Sequence, residues 1–340
     1  FVPDLQIINL LLSPYFFGSI FFFVISLYLV NYTNVLPCSY MKIKYSNDVD
    51  LALKLKKPIL ALESTIITHG MPYPKNLEFA LEAVEICKKN GVTPAIVAML
   101  NGRPTVGLEQ EELRLLSGLE GNHKVSRREI GIATTKGWSG GTTVSATMHI
   151  SNIANIKTFS TGGIGGVHFG GSESFDISQD LFSLSNTSQI VISAGIKAVL
   201  DIPKTVEHLE TLGVTVVGYK TTEVPSFYSR QSGIASLDRV NSANEIINVF
   251  NNNFNLGISS STLVFNPIPE KYEIPKPEID SIISEANKDL EKENITGKNI
   301  TPYLLSSIVK KTNKKSLAAN VFLALNNVFL GCKVAKKLHT

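Results

Sequence analysis

The sequence has little cysteine and little net charge. Its three cysteines, Cys38, Cys87 and Cys332, are an odd number without C-x-x-C spacing, so neither a disulfide framework nor a thiolate zinc site is indicated. A reducing compartment is the simpler interpretation. The formal net charge of +3 over 340 residues is weak, and it gives no support to extended nucleic-acid binding, which needs basic residues clustered on one face.

Several familiar catalytic and nucleotide-binding motifs are also missing. The chain contains no H-E-x-x-H or protein-kinase signature, and no G-x-x-x-x-G-K-[ST]. The nearest approach to G-x-G-x-x-G begins at Gly163 and Gly165, but His168 stands where the last glycine belongs. No internal repeat is present, and 44% apolar residues suffice for a large core, as one big domain or two smaller ones.

The N-terminus is unusually apolar. Residues 5–41 carry no charged side chain, which is typical of a membrane span or a signal segment. Against this, the chain starts with Phe1 rather than Met, no Lys or Arg precedes the apolar run, and MKIKYSNDVD, from Met41, reads as a conventional soluble start. Residues 1–40 are therefore either a hydrophobic leader or a non-native upstream segment, and residues 41–340 are interpreted as the functional domain.

From Lys42 onward, short β-rich runs alternate with helical patterns. The predicted strands are Pro58–Glu63, Ala95–Leu100, Ile130–Thr134, Lys157–Ser160, Gln189–Ser193 and Val214–Tyr219. The predicted helices are Asn76–Asn90, Thr143–Ala154, Gln179–Leu184, Lys204–Leu212, Pro277–Lys292, Thr301–Thr312 and Ser316–Leu338, and NNNFN at 251–255 is predicted to be a loop. This order predicts a three-layer α/β/α fold with a largely parallel central sheet and a helical C-terminal region, whose ligands bind at the carboxyl ends of the strands.

Residues 160–180, STGGIGGVHFGGSESFDISQD, form the most distinctive stretch. Six glycines lie from Gly162 to Gly171, after a short apolar run, and Asp176 and Asp180 follow at once. Because glycine can adopt positive φ and approach a bound group closely, the stretch predicts an anion cradle beside a metal-binding carboxylate. A flexible surface loop is the alternative interpretation.

Two ionisable residues stand at predicted strand ends. Glu63 ends the predicted strand PILALE. Partial burial there would raise its pKa, and a raised pKa suits a general acid; the alternative is an acid that faces water or a basic partner. Lys197 follows QIVISAGI and precedes a helical pattern, so the helix dipole and apolar neighbours would favour its neutral, nucleophilic amine. An ordinary solvated lysine is the alternative for Lys197.

Other polar groups are candidates for an anion or a metal. Lys124 with Arg127 and Arg128 forms a compact basic group, and GGTTVSATM, from Gly140, resembles a helix N-cap; surface charge and plain capping explain them as well. His168 and Asp176 could both bind a divalent ion, with a mixed His and carboxylate set favouring Mn²⁺. For Asp180 the competing role is local, since Ser178 would cap the following helix and an acid suits its first turn.

Taken together, ten segments resemble the pseudouridine-5'-phosphate glycosidase family, which includes the indigoidine-synthase-A-like proteins. The segments stand in the order and spacing of that family, and they are ALESTIITHGMPYPKN, KVSRRE, GGTTVSATM, FSTGGIGGVH, FDISQDL, SAGIKAVLDI, TVEHLETLGVTVVGY, FYSRQSG, NPIPEKY and SLAANVFLALNN. The similarity covers about residues 57–334. It departs at Gln179, where the family usually has alanine, and at residues 313–315, which replace a glycine turn.

The resemblance implies reversible cleavage of the C–C glycosidic bond of pseudouridine 5'-phosphate into uracil and ribose 5-phosphate. Lys197 would attack C1' of the ribose, open the ring and hold it as an imine, Glu63 would move protons, and Asp176, with His168 as a second candidate, would bind Mn²⁺. The substrate contacts it implies are Lys124, Val144, Thr161, Gly162, Gly163, Ser178, Gln179, Asp180 and Asn320.

The resemblance also implies a cytoplasmic homotrimer acting on a small molecule. Two further interpretations stay open. One is a related enzyme acting on another phosphorylated sugar or C-nucleoside. The other is a membrane-anchored or non-catalytic binding protein, which would require a genuine leader.

Overall fold

One sheet of eleven strands forms the centre of the computed structural model, which describes residues 42–293 and 300–339. The predicted leader, residues 1–40, lies outside the described residues. The strands are β1 (Lys44–Tyr45), β2 (Ile59–Leu62), β3 (Thr93–Leu100), β4 (Arg103–Val106), β5 (His123–Val125), β6 (Gly140–Thr142), β7 (Thr158–Ser160), β8 (Ile190–Ser193), β9 (Thr215–Tyr219), β10 (Asp238–Val240) and β11 (Thr262–Phe265).

The sheet is largely parallel. Its order is β1-β4-β3-β2-β7-β8-β11-β9-β10, with β6 also paired to β3 and β5 to β6. Only the β3–β4 and β3–β6 pairings are antiparallel among the described strands. Every residue of β2, β8 and β11 is buried, and this explains why these strands read as continuous apolar runs in the sequence.

Helices cover the sheet. They are α1 (Asn47–Lys54), α2 (Thr65–Thr68), α3 (Lys75–Lys89), α4 (Gln110–Gly118), α5 (Ile130–Thr135), α6 (Val144–Ile153), α7 (Gly171–Ser174), α8 (Gln179–Ser185), α9 (Ile202–Thr211), α10 (Ala243–Asn255), α11 (Lys276–Lys292), α12 (Ile300–Lys311) and α13 (Lys315–Leu338). Helix α13 packs on β2, β7 and β8 beside α3 and α10, while α6 packs on β2, β3 and β4 beside α8. The predicted α/β/α architecture is confirmed.

Helix α13 is the central helix of its layer. Among the described residues it alone is long and apolar enough to cross a membrane, but 67% of its most apolar window is buried inside the protein. Such burial is typical of a core helix. On its inner side, Gly331 sits against Leu60 of β2, and the free thiol of Cys332 lies 3.6 Å from that of Cys87 on α3.

Most predicted elements are confirmed within a few residues, but two were wrong. Residues 130–134, predicted as a strand, lie in helix α5, because Ser126 and Glu129 form a reciprocal capping box that starts a helical turn just before it. Residues 251–255, predicted as a loop, end helix α10, where Phe250 is buried and the Asn253 amide donates to Thr215 Oγ1 at 2.9 Å.

The sheet order brings the carboxyl ends of β2, β7 and β8 side by side. Ala61 pairs with Phe159, and Phe159 pairs with Val191, so these three strands end at the same edge. Strand β5 is attached to this arrangement through β6, where Lys124 pairs with Gly141. The sheet therefore places the predicted site residues in one region.

We expect Gly140→Ala to destabilise the protein by about 1–3 kcal/mol. A Cβ at Gly140 would lie 2.0 Å from the His123 carbonyl oxygen, which is held by the β5–β6 pairing. Gly131→Ala, in helix α5, is the matched control, since its Cβ meets nothing within 4 Å and should be neutral or stabilise by roughly 0.5–1 kcal/mol. Urea denaturation measures both, and equal midpoints for the two variants would contradict the argument.

Candidate active site

The segments after β7 and β8 continue the parallel pairing beyond the strands. Ile164 N donates to Gly195 O at 3.1 Å, and Lys197 N donates to Ile164 O at 3.1 Å. Lys197 therefore sits on an extended segment. Its predicted position at a helix N-terminus was wrong, because helix α9 begins only at Ile202, after its N-cap Asp201.

The glycine-rich stretch is a packed wall. Its first part is buried, and Gly165 N donates to Asp180 Oδ2 at 2.8 Å, so the surface-loop alternative was wrong for this part. Of its six glycines only Gly170 has positive φ. A Cβ at Gly163 would lie 2.5 Å from the Phe227 ring, and one at Gly165 would lie 2.3 Å from Ser178 Oγ. These two glycines are needed for close contact with the protein's own side chains.

Glu63 is a buried acid. It follows β2, its side chain is almost fully enclosed, and the Thr161 hydroxyl donates to its carboxylate. Burial raises the pKa of Glu63 above its ordinary value, and the positive charges of Lys197 and Lys124 and the bond from Thr161 oppose this only in part. The predicted burial and the direction of the pKa change are confirmed, and a carboxyl kept neutral can donate a proton.

Lys124 lies in the same electrostatic cluster. It belongs to β5, and burial, followed by repulsion from Lys197, lowers its pKa, while attraction to Asp180 and Glu63 acts in the opposite direction. Of the other two residues of the predicted basic group, Arg128 also lines the cleft described below, whereas Arg127 does not. Arg127 lies 5.1 Å over the Phe182 ring, and Arg128 is mostly exposed.

An open cleft of about 280 Å³ collects most of the predicted site. The predicted residues that line it are Lys124, His168, Asp176, Ser178, Gln179, Asp180 and Lys197. Residues that were not predicted as site residues also line it, among them Ser126, Glu129, Thr143 and Ser145. The S-x-x-E spacing of the capping box was a readable signal for Ser126 and Glu129, whereas no local signal marks Ser145.

The other predicted residues do not line this cleft. Glu63, Thr161 and Gly162 line a second, small cavity of about 20 Å³, the size of one water molecule. Asn320, on α13, is buried, and its Oδ1 has no hydrogen-bond partner among the described residues and lies 3.7 Å from where a Cβ on Gly162 would be. Val144 is buried in the core, so its side chain does not face the cleft.

Asp180 joins three segments of the cleft wall. It is buried, its Oδ1 accepts the N–H of Ser145 at 3.0 Å, and its Oδ2 accepts that of Gly165. Its own N–H donates to Ser178 Oγ at 3.2 Å, which confirms Ser178 as the cap of α8. Thr143 is the N-cap of α6, as the GGTTVSATM pattern predicted. The Ser145 N–H, near the start of α6, is thus already bound by the Asp180 carboxylate.

Two donor groups that suit a metal lie together in the cleft. Val167 and Ile177 form an antiparallel bridge, and His168 N donates to Asp176 O at 3.0 Å, so the two side chains project from neighbouring positions. Burial lowers the pKa of His168, which favours the neutral imidazole that ligates metals; attraction to Asp176 opposes the change. Among the described residues no cluster of three or more His, Cys, Asp or Glu suits a metal. The donors fit a largely hydrated divalent ion better than a closed protein cage.

Glu63→Gln should change how stability depends on pH. Because the folded-state pKa of Glu63 is raised, its favourable contribution is complete below the ordinary value of 4.5 and is lost as the pH rises through the folded value. Glutamine does not ionise, so we expect the melting temperature of the variant, relative to the parent, to rise between pH 4.5 and pH 7. Glu82→Gln, at an exposed position on α3, is the control and should show a flat difference. Parallel pH profiles for Glu63→Gln and the parent would contradict the burial argument.

Comparison with known proteins shows the family to which the chain belongs. The sequence model of the family described as indigoidine synthase A like protein matches residues 48–337. A pseudouridine-5'-phosphate glycosidase of Caldanaerobacter subterraneus subsp. tengcongensis is 45% identical over 297 residues, which cover 87% of this chain and 97% of the relative. The Escherichia coli enzyme of the same name is 43% identical, with coverage of 87% and 95%.

Solved structures agree as well. An indigoidine synthase A-like protein from Thermotoga maritima superposes with a TM-score of 0.80 at 36% identity, covering 88% of this chain and 97% of that one. A prealnumycin C-glycosynthase in complex with ribulose 5-phosphate also superposes with a TM-score of 0.80, at 29% identity and with coverage of 87% and 97%. The chain belongs to the family of pseudouridine-5'-phosphate glycosidases and indigoidine synthase A like proteins.

Proposed function

We propose that this protein reversibly cleaves the C–C glycosidic bond of pseudouridine 5'-phosphate to give uracil and ribose 5-phosphate. The observation that carries the proposal is that a buried acid, Glu63, lies within electrostatic reach of Lys197, an amine on the wall of a cleft that also holds Lys124. Relatives named for this activity align over nearly their whole length.

The covalent step belongs to Lys197. A C-glycoside has no leaving heteroatom to protonate, so two carboxylates alone do not suffice. Nζ of Lys197 attacks C1', and the C1'–O4' bond breaks to open the ribose ring. The nitrogen lone pair then forms the C1'=N bond as the C1'–C5 bond to the base breaks, and water finally hydrolyses the imine to release ribose 5-phosphate.

Glu63 supplies the protons. In the neutral form favoured by burial it protonates O4' as the ring opens, and its carboxylate is stabilised at that moment by Lys197, Lys124 and the Thr161 hydroxyl. Attack on C1' leaves Nζ of Lys197 with an extra proton. The Glu63 carboxylate takes that proton, which restores the nitrogen lone pair, and passes it to uracil C5 as the C1'–C5 bond breaks. By microscopic reversibility, Glu63 makes the reverse proton transfers when the reaction runs in the direction of synthesis.

Substrate recognition is assigned to both sides of the cleft. Lys124, Ser178 and Gln179 line it and suit an anionic, hydroxyl-rich ligand. Gly162 and Asn320 lie beside Glu63, where the unpaired Oδ1 of Asn320 is available to a ligand hydroxyl or N–H group. Contacts at Val144 and Gly163 would be made by the backbone, since Val144 is in the core and Gly163 has no side chain. Asp180 acts by holding the wall in place.

Asp176 and, as a second donor, His168 would hold Mn²⁺, with water and substrate oxygens completing the coordination. A bound divalent ion supplies positive charge that neutralises phosphate or stabilises a developing oxyanion. The chain's own contribution is a carboxylate and a neutral imidazole on one hairpin at the edge of the cleft.

A second candidate reaction concerns another phosphorylated sugar or C-nucleoside. The specific observation in its favour is the similar C-glycosynthase whose structure contains ribulose 5-phosphate. A panel of C-nucleoside 5'-phosphates separates the two candidates. If another member were turned over at a higher kcat/KM than pseudouridine 5'-phosphate, the second candidate would replace the first.

A cytoplasmic location and a homotrimeric state remain predictions of the family resemblance, as does the manganese requirement. Membrane association would depend on residues 1–40, outside the described part of the chain. Cell fractionation and light scattering of the purified protein test location and assembly.

Lys197→Ala should lower uracil release by at least about 10³-fold, because it removes the nucleophile. Borohydride added with ribose 5-phosphate should trap the parent protein with the added mass of one ribose 5-phosphate less one oxygen atom, and should leave the variant unmodified. Lys204→Ala, at a half-exposed position on α9, is the control and should behave as the parent. Normal turnover or trapping by Lys197→Ala would overturn the proposed mechanism.

Asp176→Asn should weaken Mn²⁺ binding by at least about 10-fold and lower activity, since it removes a ligand charge. Titration calorimetry with Mn²⁺ alone measures the first effect independently of turnover. Glu173→Gln changes an exposed acid in the same hairpin and should leave the affinity unchanged. If chelator-treated parent protein retained full activity without Mn²⁺, the metal would be unnecessary and this assignment would fall.

A further inference from the structure

Gln179 bridges two segments that face each other across the cleft. It is the first residue of α8, and its Oε1 accepts the backbone N–H of Arg128 at 3.1 Å. Arg128 lies in the turn between β5 and α5, and both residues line the cleft. One side-chain amide thus connects the segment that follows Lys124 to the segment that follows Asp176.

This contact fixes which end of the amide faces the ligand space. A backbone N–H can only donate, so the atom that receives it must be the carbonyl oxygen of Gln179. The NH₂ end is then directed away from Arg128 N. Nε2 makes no hydrogen bond within the described residues and is not among the buried unpaired atoms, so its two N–H donors are open to the cleft.

Two of the three acidic groups that line the cleft are already occupied, and the third, Asp176, is assigned above to the divalent ion. Both carboxylate oxygens of Asp180 accept backbone N–H groups, from Ser145 and Gly165. The oxygens of Glu129 accept from Ser126 N at 3.0 Å and from Arg128 Nε at 2.7 Å. What remains open around Gln179 is an excess of donors, with Lys124 and Lys197 in the same cleft. An anionic ligand with several acceptor oxygens satisfies such a set.

We propose that Gln179 Nε2 donates a hydrogen bond to a phosphate oxygen of the phosphorylated sugar, and that the Arg128 backbone N–H aims it. Gln179 thereby adds a phosphate contact that alanine, the residue usual in the family at this position, cannot make. This assignment rests on the proposed function, because it names the part of the substrate that the α8 side of the cleft holds.

A pair of substitutions separates ligand binding from structural support. Gln179→Glu keeps an acceptor for Arg128 N–H but replaces the two donors by a negative charge, whereas Gln179→Ala removes acceptor and donors together. Gln110→Glu is the matched control, since Gln110 is also the first residue of its helix, α4, and is exposed. The readouts are the Kd values of ribose 5-phosphate, ribose and uracil, the kcat and KM for pseudouridine 5'-phosphate, and the melting temperature.

We expect Gln179→Glu to raise the Kd of ribose 5-phosphate by at least about 10-fold, and KM in parallel, with ribose and uracil binding and the melting temperature unchanged. Gln179→Ala should raise the same Kd by a smaller factor, because it adds no repulsive charge, and Gln110→Glu should behave as the parent. If Gln179→Glu bound ribose 5-phosphate as the parent does, the amide would serve only to support Arg128, and the assignment would be overturned.

Two further outcomes would also overturn it. A selective loss of uracil binding would mean that the amide contacts the base. If the parent protein neither bound ribose 5-phosphate nor released uracil, the proposed function itself would fall, and the role of Gln179 with it. A parent that does both, together with an unaffected Gln179→Glu, removes only the role of Gln179.

Discussion

The carboxylate of Asp180 is the interaction on which the arrangement of the cleft depends. A buried negative charge is costly unless it is paired or hydrogen-bonded, and here two backbone N–H groups, from Ser145 and Gly165, satisfy it. Each comes from a different segment, and Asp180 itself belongs to a third. The position of Gly165 follows from this bond, since a Cβ there would lie 2.7 Å from Asp180 Oδ2. Glycine at this position is a packing requirement.

With that wall fixed, the site divides into two environments. The cleft is polar and carries Lys197 and Lys124, whereas Glu63 lies against a small cavity lined mostly by apolar side chains such as Leu62 and Phe79. Burial raises the pKa of Glu63, while the lysines nearby act in the opposite direction and stabilise the anion that it becomes after giving up its proton. The acid and the amine therefore lie side by side in different surroundings.

Much of the fold and part of the site could be predicted because they rest on periodicity. Apolar runs such as PILALE became buried strands, and Glu63 lies at a strand end, where a parallel sheet places its ligands. The errors have a different origin. Residues 130–134 are apolar enough for a strand, but the capping box before them starts a helix, and Lys197 lies too far from α9 to feel its dipole. In both cases the error concerned the residue at which a helix begins, which the apolar composition of the segment does not show.

The rest of the site could not be predicted because it is built from backbone groups whose partners are distant in sequence. The Arg128 N–H bound by Gln179 and the Ser145 N–H bound by Asp180 leave no trace in local composition. Val144 illustrates the consequence, because its side chain fills the core while its neighbours Thr143 and Ser145 line the cleft. The Val144 side chain therefore contributes packing, and any group that this residue offers to a ligand belongs to its main chain. A side chain's identity alone cannot show which of these two constraints fixed it.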